Sequence, residues 1–195
     1  MTTKISIDTI EENWKKYEKI LGRLSDDNIT GIIEFLGERL AICPVGRSES
    51  EPGSYPGGLV EHSLKVAATM RKLNEALDFN LPMQSILKVS LLHDIGRVGD
   101  ESEDLLVVQD SDWHREKLGQ NYKFNESLPK MSVTHRTLYL LQKFGIKLTR
   151  DEWIAIQTSG GSHFEENRFY VGSEPSLAIL LQKSKSLVFH LSSAG

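Results

Sequence analysis

One cysteine, Cys43, is all that this 195-residue chain contains, so no intramolecular disulfide framework holds it together. Such sparing use of cysteine fits a reducing cytosol. Long hydrophobic runs are missing as well: no stretch approaches the roughly 18 uninterrupted apolar residues of a membrane span. The segment from Met1 to Ile5 lacks the apolar core of a signal peptide, so a cytoplasmic protein without membrane association is expected. Nor is there an excess of positive charge. With 23 Lys and Arg against 27 Asp and Glu, the net charge is −4, which argues against a partner such as duplex DNA. Internal repeats are absent too. The glycine-rich Ser159-Gly160-Gly161-Ser162 lacks the preceding strand that a phosphate-cradling loop needs.

What is present is ordinary for a globular chain, with 39% hydrophobic and 26% charged residues. The length suits one domain over 1–195, in which N-terminal helices within 1–45 pack on motif-bearing helices within 57–190. Apolar residues at helical spacing predict helices over 8–22, behind an Asp8 cap, and over 27–42, closed by Pro44. Residues 46–58, rich in Gly, Ser, Pro and Glu, read as a loop. Further helices are expected over about 59–77, 83–95, 131–144, 149–158 and 174–190. The one over 83–95 is apolar nearly all round and should be central. Between 98 and 130 no helical period is sustained, and 105–108 can pair with 121–124 as a short hairpin. The fold class is thus all-α, a helical bundle with a short β-hairpin near 105–124.

Charge is unevenly distributed. Residues 100–112 hold six acids and no base, while 115–150 hold eight bases and two acids. Two solvated surfaces of opposite sign account for most of this pattern. A local positive field that draws in a phosphorylated ligand is the sharper alternative.

The chemistry centres on His93-Asp94, which ends the apolar run Ile86 to Leu92. An imidazole and a carboxylate at the end of a buried segment are costly to desolvate unless positive charge lies between them. A divalent ion supplies such charge, and His62, on the preceding helix, can reach it. Two nitrogens and one oxygen from His62, His93 and Asp94 suit Mn, Fe, Co, Ni or Zn better than calcium. Three protein ligands leave positions for water and a phosphate oxygen. Each residue also has a plain structural reading, His62 as a hydrogen-bonded core histidine and Asp94 as a helix cap.

Gly57-Gly58-Leu59-Val60-Glu61-His62-Ser63-Leu64 followed by Leu91-Leu92-His93-Asp94-Ile95-Gly96-Arg97 resembles the HD-domain superfamily of metal-dependent phosphohydrolases, in particular its small bacterial and phage members. The resemblance implies an all-α bundle around one divalent transition metal. The implied activity is hydrolysis of a small phosphoester, a nucleotide above all. His62, His93 and Asp94 match metal ligands, and His135 matches a further histidine that serves a second metal or the substrate. Asp94 would also orient or deprotonate the attacking water. Arg97 stands where many relatives carry lysine and would hold the phosphate, with Arg136 and Lys130 as further candidates.

Three positions depart from the family pattern. The last aspartate ligand aligns with Lys185, which cannot ligate a metal while protonated. The histidine expected after Ile156 is replaced by Gln157, with His163 a few residues on, and Ser54-Tyr55 stand where another histidine is expected. His114 and His190 rank lower as ligands. The expectation is a phosphohydrolase with a single metal. The alternative is a degenerate HD domain that binds a nucleotide or a protein partner without catalysis, with Lys185 paired to Asp94 in place of the ion. A purely structural helical protein is the weakest alternative.

Overall fold

A computed structural model describes residues 5–24, 26 and 28–193; the helix start expected at Asp27 and the stretch 1–4 lie outside the described residues. The expected helices form. They are α1 (Ile7–Leu21), α2 (Asn28–Ala41), α3 (Gly58–Ala76), α4 (Met83–Leu92), α6 (Val133–Lys143), α7 (Arg150–Thr158) and α8 (Ser176–Ser193). A seven-residue helix that the periodicity does not reveal, α5 (Asp112–Leu118), lies between strands β1 (Leu106–Val108) and β2 (Tyr122–Phe124). The strands pair antiparallel with Leu106 opposite Phe124, which is the expected hairpin with a helix inserted in its connection. The fold is all-α, and no helix among the described residues is long and apolar enough to cross a membrane.

Local chemistry explains the boundaries. Ser6, not Asp8, caps α1, its hydroxyl accepting from the Thr9 amide at 3.2 Å; Asp8 sits in the first turn, where its charge favours the helix dipole. Thr149 and Glu152 open α7 with a reciprocal capping box. The buried Glu152 carboxylate also accepts from Ser85 at 2.8 Å and pairs with Lys88 at 3.4 Å, which locks α7 to α4. α2 kinks at Gly37.

α4 is central, as its composition requires. Ile86, Val89, Leu91 and Leu92 are fully buried, each such side chain contributing about 1.5–3 kcal/mol. α3 packs on α4 and α8, and α7 packs on α8. From α1, the buried Tyr17 hydroxyl donates to the Leu91 carbonyl at 2.7 Å, two residues before His93. This places the C-terminal end of α4 deep in the bundle, where α3 and α8 meet it.

Candidate functional site

Two glycine junctions bring the site together. Gly57 takes a left-handed φ of 84° to turn the chain into α3, and Gly58 lies so close to Gly53 that a Cβ would fall 1.9 Å from its carbonyl oxygen. His62 therefore stands in the second turn of α3. At the other junction α4 ends at His93, and a 3-10 turn runs over Ile95–Arg97. Gly96 nests under α6, its amide donating to Thr137 Oγ1 at 2.9 Å, and that hydroxyl donates to the His93 carbonyl at 3.1 Å. A Cβ at Gly96 would sit 2.4 Å from the Val133 carbonyl oxygen, so only glycine permits this approach.

The result is that His62, His93 and Asp94 each present a ligand atom within 4.8 Å of the others. The His62 and His93 rings lie 6.0 Å apart, and His93 Nε2 is 3.7 Å from Asp94 Oδ2. His93 Nδ1 lies 2.9 Å from the Ser90 carbonyl, which can only accept, so the proton resides on Nδ1. The lone pair of Nε2 faces inward, buried and without a hydrogen-bond partner. An imidazole oriented through its other nitrogen by a carbonyl is the usual posture of a metal ligand. Burial lowers the pKa of His62 to about 4 and that of His93 to about 3, so both rings are neutral at physiological pH. By donor type and spacing, these three side chains suit a transition metal.

The charge around them does not. Both oxygens of Asp94 are already held by cations of the chain, Oδ1 by Lys185 Nζ at 3.1 Å and Oδ2 by Arg97 Nε at 2.9 Å. Burial alone would raise the Asp94 pKa, but Lys185 and then Arg97 outweigh it and hold the carboxyl well below its usual range. Burial lowers the Lys185 pKa, partly offset by Asp94. Arg97 is anchored on its other side by donation from Nη1 to the Val45 carbonyl at 2.6 Å. Lys185 and Arg97 both contact the one carboxylate of the cluster, so a dication there would meet two cations at Asp94 itself.

Two cavities meet at this cluster. One, of about 660 Å³, includes His62, His163, Asp94, Arg97 and Lys185 in its wall. The other, of about 900 Å³, shares Asp94, Arg97 and Lys185 and adds Lys130, Arg136 and a largely apolar wall that includes Leu128 and Phe164. The Asp94–Lys185 pair thus stands between two chambers.

The remaining candidates are placed as follows. His135 does not join His62, His93 and Asp94. It lies on the exposed side of α6, its Nε2 3.4 Å from Gln157 Nε2, in the wall of a separate cavity with Tyr139, Trp153 and Tyr170. His163 stacks against Phe164 with ring centroids 4.2 Å apart and is outside the three-ligand group. His114 bonds Ser111 Oγ at 2.8 Å on α5, and His190 is exposed on α8. Sequence reasoning did not find the carbonyls of Ser90 and Val45, which orient His93 and Arg97. Backbone acceptors leave no mark in residue identity. Ser159, in the glycine-rich stretch that lacks a preceding strand, lines both chambers.

The pattern of the HD domain family matches residues 59–156, half of the chain, and so takes in both halves of the His62, His93 and Asp94 cluster. No curated protein and no solved structure matches the chain.

Proposed function

Because this chain belongs to the HD domain family, whose members are typically metal-dependent phosphohydrolases, we propose that it binds a small phosphorylated ligand, a nucleotide or a similar phosphoester, at a site whose positive charge comes from Lys185 and Arg97 rather than from an ion. The observation that carries this reading is the engagement of both Asp94 oxygens by those two cations. A phosphate oxygen entering from the larger chamber meets an ammonium and a guanidinium with one carboxylate between them, so the site retains attraction for an anion. Lys185 and Arg97 bind the phosphate, Asp94 sets their spacing, and the neutral His62 borders the smaller chamber behind them. Without an ion to activate water, the chain holds its ligand and does not turn it over.

Calorimetry with AMP in the presence of a chelator tests this. Binding that persists without metal and weakens by about tenfold in Lys185→Met supports the reading. Binding that requires added metal, or release of phosphate abolished by His93→Ala, overturns it.

A second reading, metal-dependent phosphohydrolysis, is favoured by the buried, unpartnered Nε2 of His93. In that reading His62, His93 and Asp94 hold one Mn, Fe, Co, Ni or Zn ion once Lys185 leaves Asp94. The ion's chemistry would be to acidify a bound water and offset phosphate charge, with Asp94 orienting the water and Arg97 gripping the phosphate. The chelator experiment separates the two readings, since only the second needs the ion.

A further inference from the structure

Among the described residues, five cationic side chains are deeply placed and four of them have a carboxylate, Arg39 pairing with Asp104. Lys88 pairs with Glu152, while Lys185 and Arg97 share Asp94. Arg136, on α6, is the exception. It is 3% exposed, yet no carboxylate among the described residues pairs with it. Its Nη2 donates to the Pro129 carbonyl at 2.8 Å, and its Nε is buried with no partner at all. A guanidinium keeps its charge in proteins, so the cost of burying it calls for a partner. Burying such a charge without a counter-ion is costly, and side chains retained in that state call for an explanation.

The place of Arg136 supplies one. It lines the cavity of about 900 Å³ and not the smaller chamber, whereas Arg97 and Lys185 line both. Its guanidinium is tethered at Pro129, whereas the Lys185 ammonium is tethered at Asp94 and the Arg97 guanidinium at Asp94 and Val45, so the cations have different anchors around one cavity. Lys130 adds a further positive group to the same wall. We propose that Arg136 forms a second anion-binding subsite in this cavity, distinct from the Lys185–Arg97 site, so that the natural ligand carries two anionic groups. The proposal rests on the phosphate-binding reading above and extends it to the class of ligand.

Equilibrium dialysis of the full chain against radiolabelled inorganic phosphate, at millimolar protein and low ionic strength, counts the subsites without assuming their separation. Two phosphates per wild-type chain are expected. Arg136→Met is expected to bind one, with the remaining site still weakened by Lys185→Met. Arg136→Lys, which keeps the charge but loses the fork, is expected to retain two, the second about tenfold weaker; it also serves if Arg136→Met fails to fold. One phosphate on the wild type, or two on Arg136→Met, overturns the subsite. A single phosphate that Lys185→Met abolishes leaves the phosphate-binding reading standing and removes only this inference. No phosphate on the wild type removes both.

Discussion

The ammonium of Lys185 lies 3.1 Å from Asp94 Oδ1, while Arg97 takes the opposite oxygen at 2.9 Å. A carboxylate held from both sides by cations of its own chain is paired without any ion. The sequence resemblance aligns Lys185 with an aspartate ligand of the family, at a position beyond the matched residues 59–156. On that alignment, one substitution removes a negative ligand and adds a positive charge at the same place.

Restoring the acid should reverse both effects. Lys185→Asp is expected to bind Zn or Mn at least about 100-fold more tightly than the wild type, because it adds a ligand and removes a repulsive charge. Titration calorimetry of the two proteins after chelator treatment makes the comparison. Equal affinities would mean that the alignment of Lys185 with the missing ligand is mistaken.

Asp94 should matter for stability more than its partners do individually. Asp94→Asn leaves two deeply placed cations facing a neutral amide, and a loss of about 3–5 kcal/mol is expected in urea denaturation. Adding Lys185→Met to that variant should restore about 1 kcal/mol or more, since one uncompensated charge disappears. A double variant no more stable than Asp94→Asn would show that the ion pair carries little of the effect.

Stability should depend on pH through the two histidines. Their folded pKa values, about 4 for His62 and about 3 for His93, lie below the ordinary value of 6.5 because burial disfavours the charged rings. Below pH 6.5 the unfolded chain takes up protons that the folded chain refuses. The contribution is therefore complete above pH 6.5 and declines as pH falls towards 4, by about 3 kcal/mol between pH 6.5 and 5 for two such groups. The depressed Asp94 pKa acts in the same direction at lower pH still. Urea denaturation across this range checks the slope, and His62→Gln should flatten it by about half. A slope unchanged in His62→Gln contradicts the assignment.

Gly96 should tolerate no side chain. A Cβ there would lie 2.4 Å from the Val133 carbonyl oxygen and 2.6 Å from the Thr137 amide nitrogen. Gly96→Ala should push α6 away from the turn that carries Arg97 and cost about 1–3 kcal/mol. Chemical denaturation with the alanine variant measures this, and a change below about 0.5 kcal/mol would show that α6 shifts freely.

The sequence makes the central features readable for physical reasons. A helix apolar on all sides has to be buried, and α4 is. Adjacent His93 and Asp94 at its end need a charge partner, and they have two. Lys185 itself stood out because a cation occupied the place of an expected acid. Other features are not encoded in any periodicity. α5 is seven residues long, too short for a hydrophobic stripe, and is defined by the Ser111 cap and Gly119 at its end. His135 follows the family spacing, yet the rotation of α6 turns it to the outer face beside Gln157, a matter of tertiary packing. The sharing of Asp94 between Lys185 and Arg97 likewise depends on how α8 meets the turn after α4, which single-residue patterns do not report.

The most direct measurement is titration of Mn and Zn into chelator-treated wild-type protein at neutral pH, followed by elemental analysis. Less than about a tenth of an equivalent retained, with phosphate binding intact, is the outcome expected when Lys185 and Arg97 already neutralise Asp94. One equivalent held at micromolar affinity and lost in His93→Ala would contradict the account.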